Sequence, residues 1–217
     1  MLKQLLGTDS WLINLFSRIT DIFILQILFL ISSLPLFTIG AAVSSSLAVA
    51  MELARGNNDS ILRSYHHHFC VNFKQATLSY IFLLTSLGLV MLDLYFINFV
   101  TGFFKVLLNI AVIIFGIIIS LFAVYGFGYL SRYKVGIKQL GLNCLYLAIR
   151  YPSSTICLVF LNGLISLSVL SSPIGLLTGV YFFSFGGFGL LAILNGWGLN
   201  KIFSRLEKDN LVQVEHS

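Results

Sequence analysis

The chain has 217 residues, of which 58% are hydrophobic and only 10% are charged, and its formal net charge is +5. Soluble domains of average composition carry roughly 25% charged residues, so this chain has too little charge to cover a water-exposed surface. The composition excludes a soluble globular domain and predicts an all-α, polytopic membrane helical bundle, with a single integral membrane domain over residues 1–217. No segment is large enough for a separate soluble binding module, and no nucleic-acid partner is predicted.

Residues 1–21 precede the first uncharged run and are predicted to form an interfacial segment. The apolar residues of this segment favour one side of a helix, and Thr8, Asp9 and Ser10 are suitable caps for a short helix that begins at Trp11. Such an amphipathic helix lies in the membrane interface, with Trp11 at headgroup depth. A cleaved signal peptide is disfavoured, because the leader is too long and no A-x-A-like site follows it.

Apolar runs that are long enough to span a membrane follow in chain order. A transmembrane helix needs about 20 mainly apolar residues. The simplest count is five helices in a bundle over residues 22–200, followed by a cytoplasmic tail over 201–217. The five predicted spans cover roughly 22–44, 77–99, 106–130, 153–171 and 175–198. The last two are separated by Ser-Ser-Pro-Ile-Gly, which is typical of a tight turn.

The first uncharged run, residues 22–51, admits a second interpretation. It is longer than one perpendicular span requires, and Pro35 and Gly40 punctuate it. If Pro35 breaks the run into a hairpin, the bundle has six helices. Against this, residues 22–34 are only 13 in number, which is short of a full crossing, so the piece would need shelter from other helices. The sequence favours five spans and leaves the broken hairpin open.

Basic residues orient the bundle, because Lys and Arg accumulate in short cytoplasmic loops. With five spans, ten of the thirteen basic residues fall on one side, whereas Lys3, Arg18 and Lys105 fall on the other. This distribution predicts a cytoplasmic C-terminus and an N-terminus outside. The broken hairpin would instead move the N-terminus inside and give a split of 12 to 1.

No conspicuous side chains form a recognisable catalytic or metal-binding set. Consecutive histidines at 66–68 point in three directions on a helix, about 100° apart, and the pair His66 and Cys70 lacks a third ligand. The three cysteines (Cys70, Cys144 and Cys157) have no CxxC spacing, which indicates buried structural thiols rather than disulfides or a zinc site. No Ser-His-Asp set, HExxH, P-loop or paired carboxylates occur. We therefore predict no catalytic residues, no metal, no cofactor and no enzymatic activity.

A small number of polar or small residues, in or near the predicted spans, suggest possible functions. Asp93 is the only carboxylate inside a predicted span, and its place near the outer end favours snorkelling or a pair with Lys105 over proton coupling. Glycines crowd the span over 175–198, where they favour close helix packing; unwinding at a substrate site is the alternative. Four asparagines are candidates for hydrogen bonds between helices: Asn109, Asn143, Asn162 and Asn195.

Two segments, LPLFTIGAAVSSSLAVAMEL at 34–53 and FCVNFKQAT at 69–77, resemble the YesL-like family. This family comprises small membrane proteins of Gram-positive bacteria and is defined as a domain of unknown function. Its pattern has a proline and a Thr-x-Gly-Ala near the end of the first span, then an Asn-Phe-Lys-Gln-like sequence before the second. The candidate family-motif positions in this chain are Pro35, Thr38, Gly40, Asn72, Phe73 and Lys74. Asn143 and the Leu-Ala-Ile run at 147–149 extend the resemblance over most of the chain.

The resemblance implies a bacterial plasma-membrane protein linked to sugar uptake, because such proteins are often encoded beside carbohydrate ABC transporters and polysaccharide-degrading enzymes. Two hypotheses follow. The first is an accessory or assembly component whose basic cytoplasmic loops dock an ABC-type carbohydrate transporter or anionic lipid. The second is a small permease-like transporter that acts itself, through self-association. Both have the lipid bilayer as a partner, and the sequence does not decide between them.

Overall fold

A computed structural model describes residues 11–57, 60–133 and 135–215, and these ranges contain helices and no strand. The α-helices are α1 (Trp11–Ser33), α2 (Ile39–Ala54), α3 (Ile61–Phe96), α4 (Phe103–Arg132), α5 (Ile137–Arg150), α6 (Pro152–Leu170), α7 (Pro173–Phe182) and α8 (Phe188–Glu215). Short 3-10 turns cover Leu36–Thr38 and Ile97–Phe99, and a π-helical segment covers Phe183–Gly187. The predicted all-α bundle is confirmed.

Six helical stretches of the described residues are long and apolar enough to cross a membrane, rather than the favoured five. They are Phe16–Ser33, Leu36–Ala54, Ile61–Phe99, Phe103–Arg132, Pro152–Val169 and Pro173–Lys208. The broken-hairpin alternative is therefore the better count. The length objection to it fails because α1 begins at Trp11 rather than Ile22 and runs for 23 residues through Arg18 and Asp21. The predicted caps at 8–10, and Lys3, lie outside the described residues.

The first break in the helical chain is built around Pro35. The Thr38 N–H donates to the Pro35 carbonyl over 2.8 Å, which closes the 3-10 turn. The Thr38 hydroxyl donates to the carbonyl of Ser32 over 2.5 Å, and so satisfies a carbonyl that the end of α1 leaves free. The predicted turn near 171–175 is confirmed as well: Pro173 begins α7, and the Ser172 hydroxyl accepts from its first turn.

Helix α2 is the central helix of the bundle. It packs against α1, α3, α4 and α8, and most of its side chains are buried. Its sequence IGAAVSSSLAVA is made largely of small residues, which let neighbouring helices approach closely. The three buried serines keep their hydroxyls satisfied: Ser45 donates to Ala41 (2.6 Å), Ser46 to Ala42 (2.9 Å), and Ser44 to the carbonyl of Phe127 on α4 (3.3 Å).

Two glycines show how closely the helices approach. A Cβ added at Gly40 would collide with the carbonyl oxygen of Ala76 on α3. One added at Gly196 on α8 would stand 2.5 Å from the Cβ of Ala50 and 3.2 Å from the backbone nitrogen of Met51. Because the obstacles include backbone atoms, they cannot move aside as a flexible side chain would. The packing role predicted for the glycines of the last span is thus present at Gly196.

The halves of α3 and α4 that meet at the Ile97–Phe99 turn face outward. Large apolar side chains there are well exposed, among them Leu89, Met91, Phe103 and Ile113. In a soluble protein such a continuous apolar surface would drive association, whereas hydrocarbon chains solvate it. This surface is the observation that indicates contact with the lipid bilayer.

The sequence did not predict helix α5, which lies within the basic segment after α4. One face of it carries Leu140, Cys144 and Leu147, all almost fully buried. These residues belong to the same core as Phe203 and Leu130. The segment is therefore an amphipathic helix packed on the bundle and not a simple loop.

Replacing Gly196 by alanine is expected to destabilise the bundle, because the methyl group meets the backbone of α2. We expect a loss of about 1–3 kcal/mol, the usual cost of overpacking, measured as a lower midpoint of thermal unfolding in detergent. The matched control is Gly88→Ala on α3, where an added Cβ has nothing within 4 Å and helix propensity improves. Equal midpoints for the two variants would contradict the close α2–α8 contact.

If all six apolar stretches cross the membrane, both termini lie on the same side, and the basic residues predict that this side is the cytoplasm. We therefore expect tags at the N-terminus and at the C-terminus to be digested by protease in inside-out vesicles and protected in right-side-out vesicles. A tag inserted in the turn at 97–102 is the control and should behave in the opposite way. An N-terminal tag that is digested from outside would restore the five-span arrangement.

Candidate functional site: a cleft beside a broken helix

Four of the family-motif positions lie at the junction of α1, α2 and α3. Pro35 and Thr38 form the turn between α1 and α2. Gly40 follows on the first turn of α2 and touches α3 at Ala76. Asn72 is buried on α3, one turn before Ala76. The structure brings these positions together as a helix-packing junction.

The other two motif positions point elsewhere. The ring of Phe73 lies edge-to-face against that of Phe69, with centroids 5.5 Å apart. Lys74 is exposed. Both residues line a shallow groove along residues 69–75 of α3, so they belong to the outer surface of this helix rather than to the α2–α3 junction.

The histidine run lies in the first half of α3 and ties that helix to α2. His68 Nε2 is 2.9 Å from Oε1 of Glu52, and the Ser64 hydroxyl donates to the other oxygen of the same carboxylate. His66 lies near the sulfur of Cys70 on its own helix, at 3.8 Å. The predicted burial of the cysteines is confirmed for Cys144 and wrong for Cys70 and Cys157, which are exposed. In the ranges that the structure describes, no three His, Cys, Asp or Glu side chains are grouped to hold a metal ion.

The expected partnership of Asp93 with Lys105 is absent. Both residues are exposed near the turn between α3 and α4, and no ion pair joins them in the described part of the chain. Of the two interpretations that the sequence favoured, the one left is that each side chain snorkels toward the membrane interface.

The last predicted span is interrupted at Gly186. Its backbone has φ +126°, a conformation that residues with a side chain rarely adopt, and it separates α7 from α8 through the π-helical segment Phe183–Gly187. A helix break inside a membrane leaves backbone groups that need other partners. The unwinding that the sequence analysis held as an alternative use of the glycines thus occurs at this one residue.

Gln26 of α1 supplies those partners. Its Nε2 donates to the Phe183 carbonyl over 2.5 Å, and its Oε1 accepts from the Gly189 N–H over 2.9 Å. The side chain is only 2% exposed, so one amide bridges both sides of the break in a buried setting. Phe29, one turn further along α1, stacks on Phe188 with ring centroids 3.5 Å apart. Helix α1 is therefore fastened to the broken helix.

A cleft of about 460 Å³ lies beside the break, between α2, α4, α6 and α8. Its walls are mostly apolar, and none of the described residues lining it is charged. The polar groups in the wall are Ser120, Asn162, Ser166 and Asn195. A volume of this size is in the range of small-molecule sites.

Asn162 and Asn195 face each other across the cleft wall and form a reciprocal amide pair. Asn162 Nδ2 donates to Asn195 Oδ1 over 2.7 Å, and the reverse bond is 3.2 Å. Each amide also donates to the carbonyl four residues earlier on its own helix. Both hydrogens of each NH₂ group are thereby used, while each side-chain oxygen keeps one lone pair for another donor.

The prediction that asparagines join helices is confirmed for this pair and for Asn143, which donates to the Tyr129 hydroxyl over 3.1 Å. It is wrong for Asn109, whose amide bonds to the carbonyl of Lys105 on its own helix. Asn109 lies half-buried on the outer half of α4.

The cleft is closed at one end. Cleft-lining residues on α4 and α8 are followed along both helices by a dense core that contains Tyr125, Leu130, Leu199 and Phe203, each no more than 2% exposed. This core is part of a larger cluster that includes the buried face of α5.

An ion pair lies beyond the core, where α4 meets α8. Arg132 binds both carboxylate oxygens of Glu207, with Nη2–Oε2 at 2.7 Å and Nε–Oε1 at 3.0 Å, and donates from Nη1 to Asn200 Oδ1. The Tyr133 hydroxyl donates to Glu207 over 2.7 Å. Burial and the neighbouring carboxylate raise the pKa of Tyr133, which keeps this phenol a donor. Bidentate pairs of this kind fix geometry strongly.

These features define a polytopic α-helical membrane protein with a blind, uncharged cleft. Residues 22–94, about a third of the chain, match the family described as "Protein of unknown function, DUF624", and the YesL-like resemblance is confirmed over these residues. The match covers α2 and α3 with all six motif positions; the resemblance noted around Asn143 lies beyond it. No curated protein and no solved structure matches the chain.

Replacing Gln26 by leucine should destabilise the junction of α1 with the broken helix. The change leaves the Phe183 carbonyl and the Gly189 N–H buried without partners, at a cost of about 1–3 kcal/mol for each unsatisfied group. Thermal unfolding in detergent measures the loss. The control is Thr20→Val on the same helix, whose hydroxyl bonds only to its own helix. A Gln26→Leu protein as stable as the control would contradict the bridging role.

Proposed function

We propose that this protein is a non-enzymatic accessory or assembly component of carbohydrate uptake in the bacterial plasma membrane. The observation that favours an accessory role over transport is the closed end of the cleft. A solute that enters beside Asn162 and Asn195 meets the core around Tyr125 and Phe203, and passage would require that core to separate. Separating a packed core is costly because its side chains interdigitate at crystal-like density.

The carbohydrate class is an inference from the YesL-like resemblance. The cleft is compatible with it, since an uncharged wall with amide and hydroxyl groups suits a neutral ligand with hydroxyl groups. A strongly charged substrate would leave its charge unpaired in a wall of this kind.

The basic end of the bundle is the proposed docking surface for a transporter. Exposed cations there include Arg63 at the start of α3 and Lys201 and Arg205 on α8. On the topology that we propose, this end faces the cytoplasm, with both termini, and only Lys105 of the thirteen basic residues lies opposite. A transporter subunit with an acidic cytoplasmic surface, or anionic lipid, would be attracted to it.

Transport by the protein itself is the second candidate, and the break at Gly186 favours it. Broken helices that line a cavity are common at transporter substrate sites, and this break lies beside the cleft. Movement of α7 against α8 at the break would be the way to open the core, and self-association would add volume.

Two measurements separate these candidates. We expect the purified full-length protein in liposomes to take up no labelled oligosaccharide above empty liposomes, and we expect mild-detergent pull-down from native membranes to recover subunits of an ABC-type carbohydrate transporter. Arg63→Glu combined with Arg205→Glu should reduce that recovery, whereas Lys105→Glu at the opposite end should not. Saturable uptake by the reconstituted protein would overturn the accessory role, and recovery without any transporter subunit would count against docking.

A further inference from the structure

We propose that the cleft between α2, α4, α6 and α8 is a water-accessible binding site for a neutral, hydroxyl-bearing molecule of about one or two sugar rings. The inference rests on the proposed function and deepens it, because it names the ligand class that the accessory component would receive. Three observations support it: an unbonded hydroxyl in the wall, free acceptors beside it, and the absence of charge from the described lining.

The unbonded hydroxyl belongs to Ser120 on α4. Several serines on the membrane-spanning helices bond to their own backbone: Ser86 donates to Phe82, Ser168 to Leu164 and Ser184 to Val180. The buried Ser79 hydroxyl on α3 also lacks a partner, but it does not line the cleft. Ser120 makes no such bond in the described part of the chain, although it lines the cleft. A hydroxyl without a partner is costly in hydrocarbon. Ser120 is therefore positioned for water or for a ligand.

The acceptors are the oxygens of Asn162 and Asn195. Their mutual bonds and their bonds to their own helices occupy every amide hydrogen and leave one lone pair on each oxygen. The wall thus offers a donor from Ser120 and two fixed acceptors, which is the pattern that a set of ligand hydroxyls can satisfy. An anion would find no cation among the described lining residues, and a cation would find no carboxylate.

The size of the cleft sets the size of the ligand. Its volume of about 460 Å³ lies at the lower end of the range for small-molecule sites, roughly 300–1,000 Å³. Apolar groups such as Val43, Leu47 and Phe188 form the rest of the wall, as is usual for sites in which few polar groups fix the orientation. A free sugar and the headgroup of a glycolipid share this chemistry.

The first test measures whether water reaches the cleft. Gly163→Cys places a thiol in the cleft wall and Gly88→Cys places one on α3 outside it; an added Cβ has nothing within 4 Å at either position. Both are made with Cys70→Ser and Cys157→Ser. Cys144 can remain, since burial raises the pKa of its thiol to about 12. Maleimides react with the thiolate, which forms in water and not in hydrocarbon.

We expect a membrane-impermeant maleimide to label Gly163→Cys about tenfold faster than Gly88→Cys, with the full-length chain in nanodiscs of phosphatidylcholine and phosphatidylglycerol. Equal rates would overturn the proposal, because a cleft filled by lipid chains would treat both thiols alike. Thermal unfolding of each variant confirms that it is folded before labelling.

The second test identifies the ligand by protection from labelling. The probes are maltose, sucrose and myo-inositol as free neutral solutes, and diglucosyl diacylglycerol added to the nanodisc; glutamate and lysine are charged comparisons. Protection by a free solute assigns the site to soluble sugars, and protection only by the glycolipid assigns it to a headgroup. Protection by none of the neutral probes, or equal protection by the charged ones, would overturn the proposal.

A matched pair of serine variants then tests the contact. Ser120→Ala should weaken protection by the effective probe about fivefold, the effect of one lost hydrogen bond. Ser168→Ala, which removes a hydroxyl bonded to its own helix, should leave protection unchanged. Equal effects of the two changes would exclude Ser120 as a ligand contact. Failure of these binding tests alongside successful recovery of a transporter would remove the ligand site and leave the docking role intact.

Discussion

The bundle depends on the small side chains of α2. In lipid, helices gain little from burying apolar surface against one another, so close van der Waals contact and buried hydrogen bonds must hold them together. Gly40 admits α3, and Ala50 meets Gly196 of α8, at distances that a larger side chain on either partner would prevent. The buried serines 44–46 add hydrogen bonds without adding bulk. A single narrow helix can therefore contact four neighbours.

The same constraint shapes the cleft. Because α2 carries small residues, α3 and α8 pack closely against it. The large buried side chains are concentrated instead on α4, α5 and α8, around Tyr125 and Phe203. That core closes one half of the bundle. In the other half a cleft remains between α2, α4, α6 and α8, and Leu47 is among the residues that line it. The polar groups Ser120, Asn162 and Asn195 line that cleft because it is the part of the interior that packing leaves unfilled.

Composition and apolar run length were sufficient to predict the membrane bundle, because both report directly on the solvent that the chain requires. The first run was harder. Its uncharged part begins at Ile22, but α1 begins at Trp11, since Arg18 and Asp21 are tolerated in a helix near its end. A signal for α5 was present in the spacing of Leu140, Cys144 and Leu147, which places them on one helical face. Gln26 was not singled out from the sequence, because its partners are about 160 positions away and no local pattern indicates a contact of that range.

The Gln26 bridge bears on how the break at Gly186 is used. An interrupted helix that exchanged freely between open and closed forms would leave its carbonyl and N–H groups to water in at least one form. Here one buried amide holds both groups, and the stacked rings of Phe29 and Phe188 secure the same junction. Movement of α7 against α8 at the break must therefore lose at least one of these two buried hydrogen bonds, and each group costs about 1–3 kcal/mol when unpaired. The hydrogen bonds of Gln26 thus favour a cleft wall that does not move. A fixed wall agrees better with a component that binds a ligand than with one that transports it across the membrane.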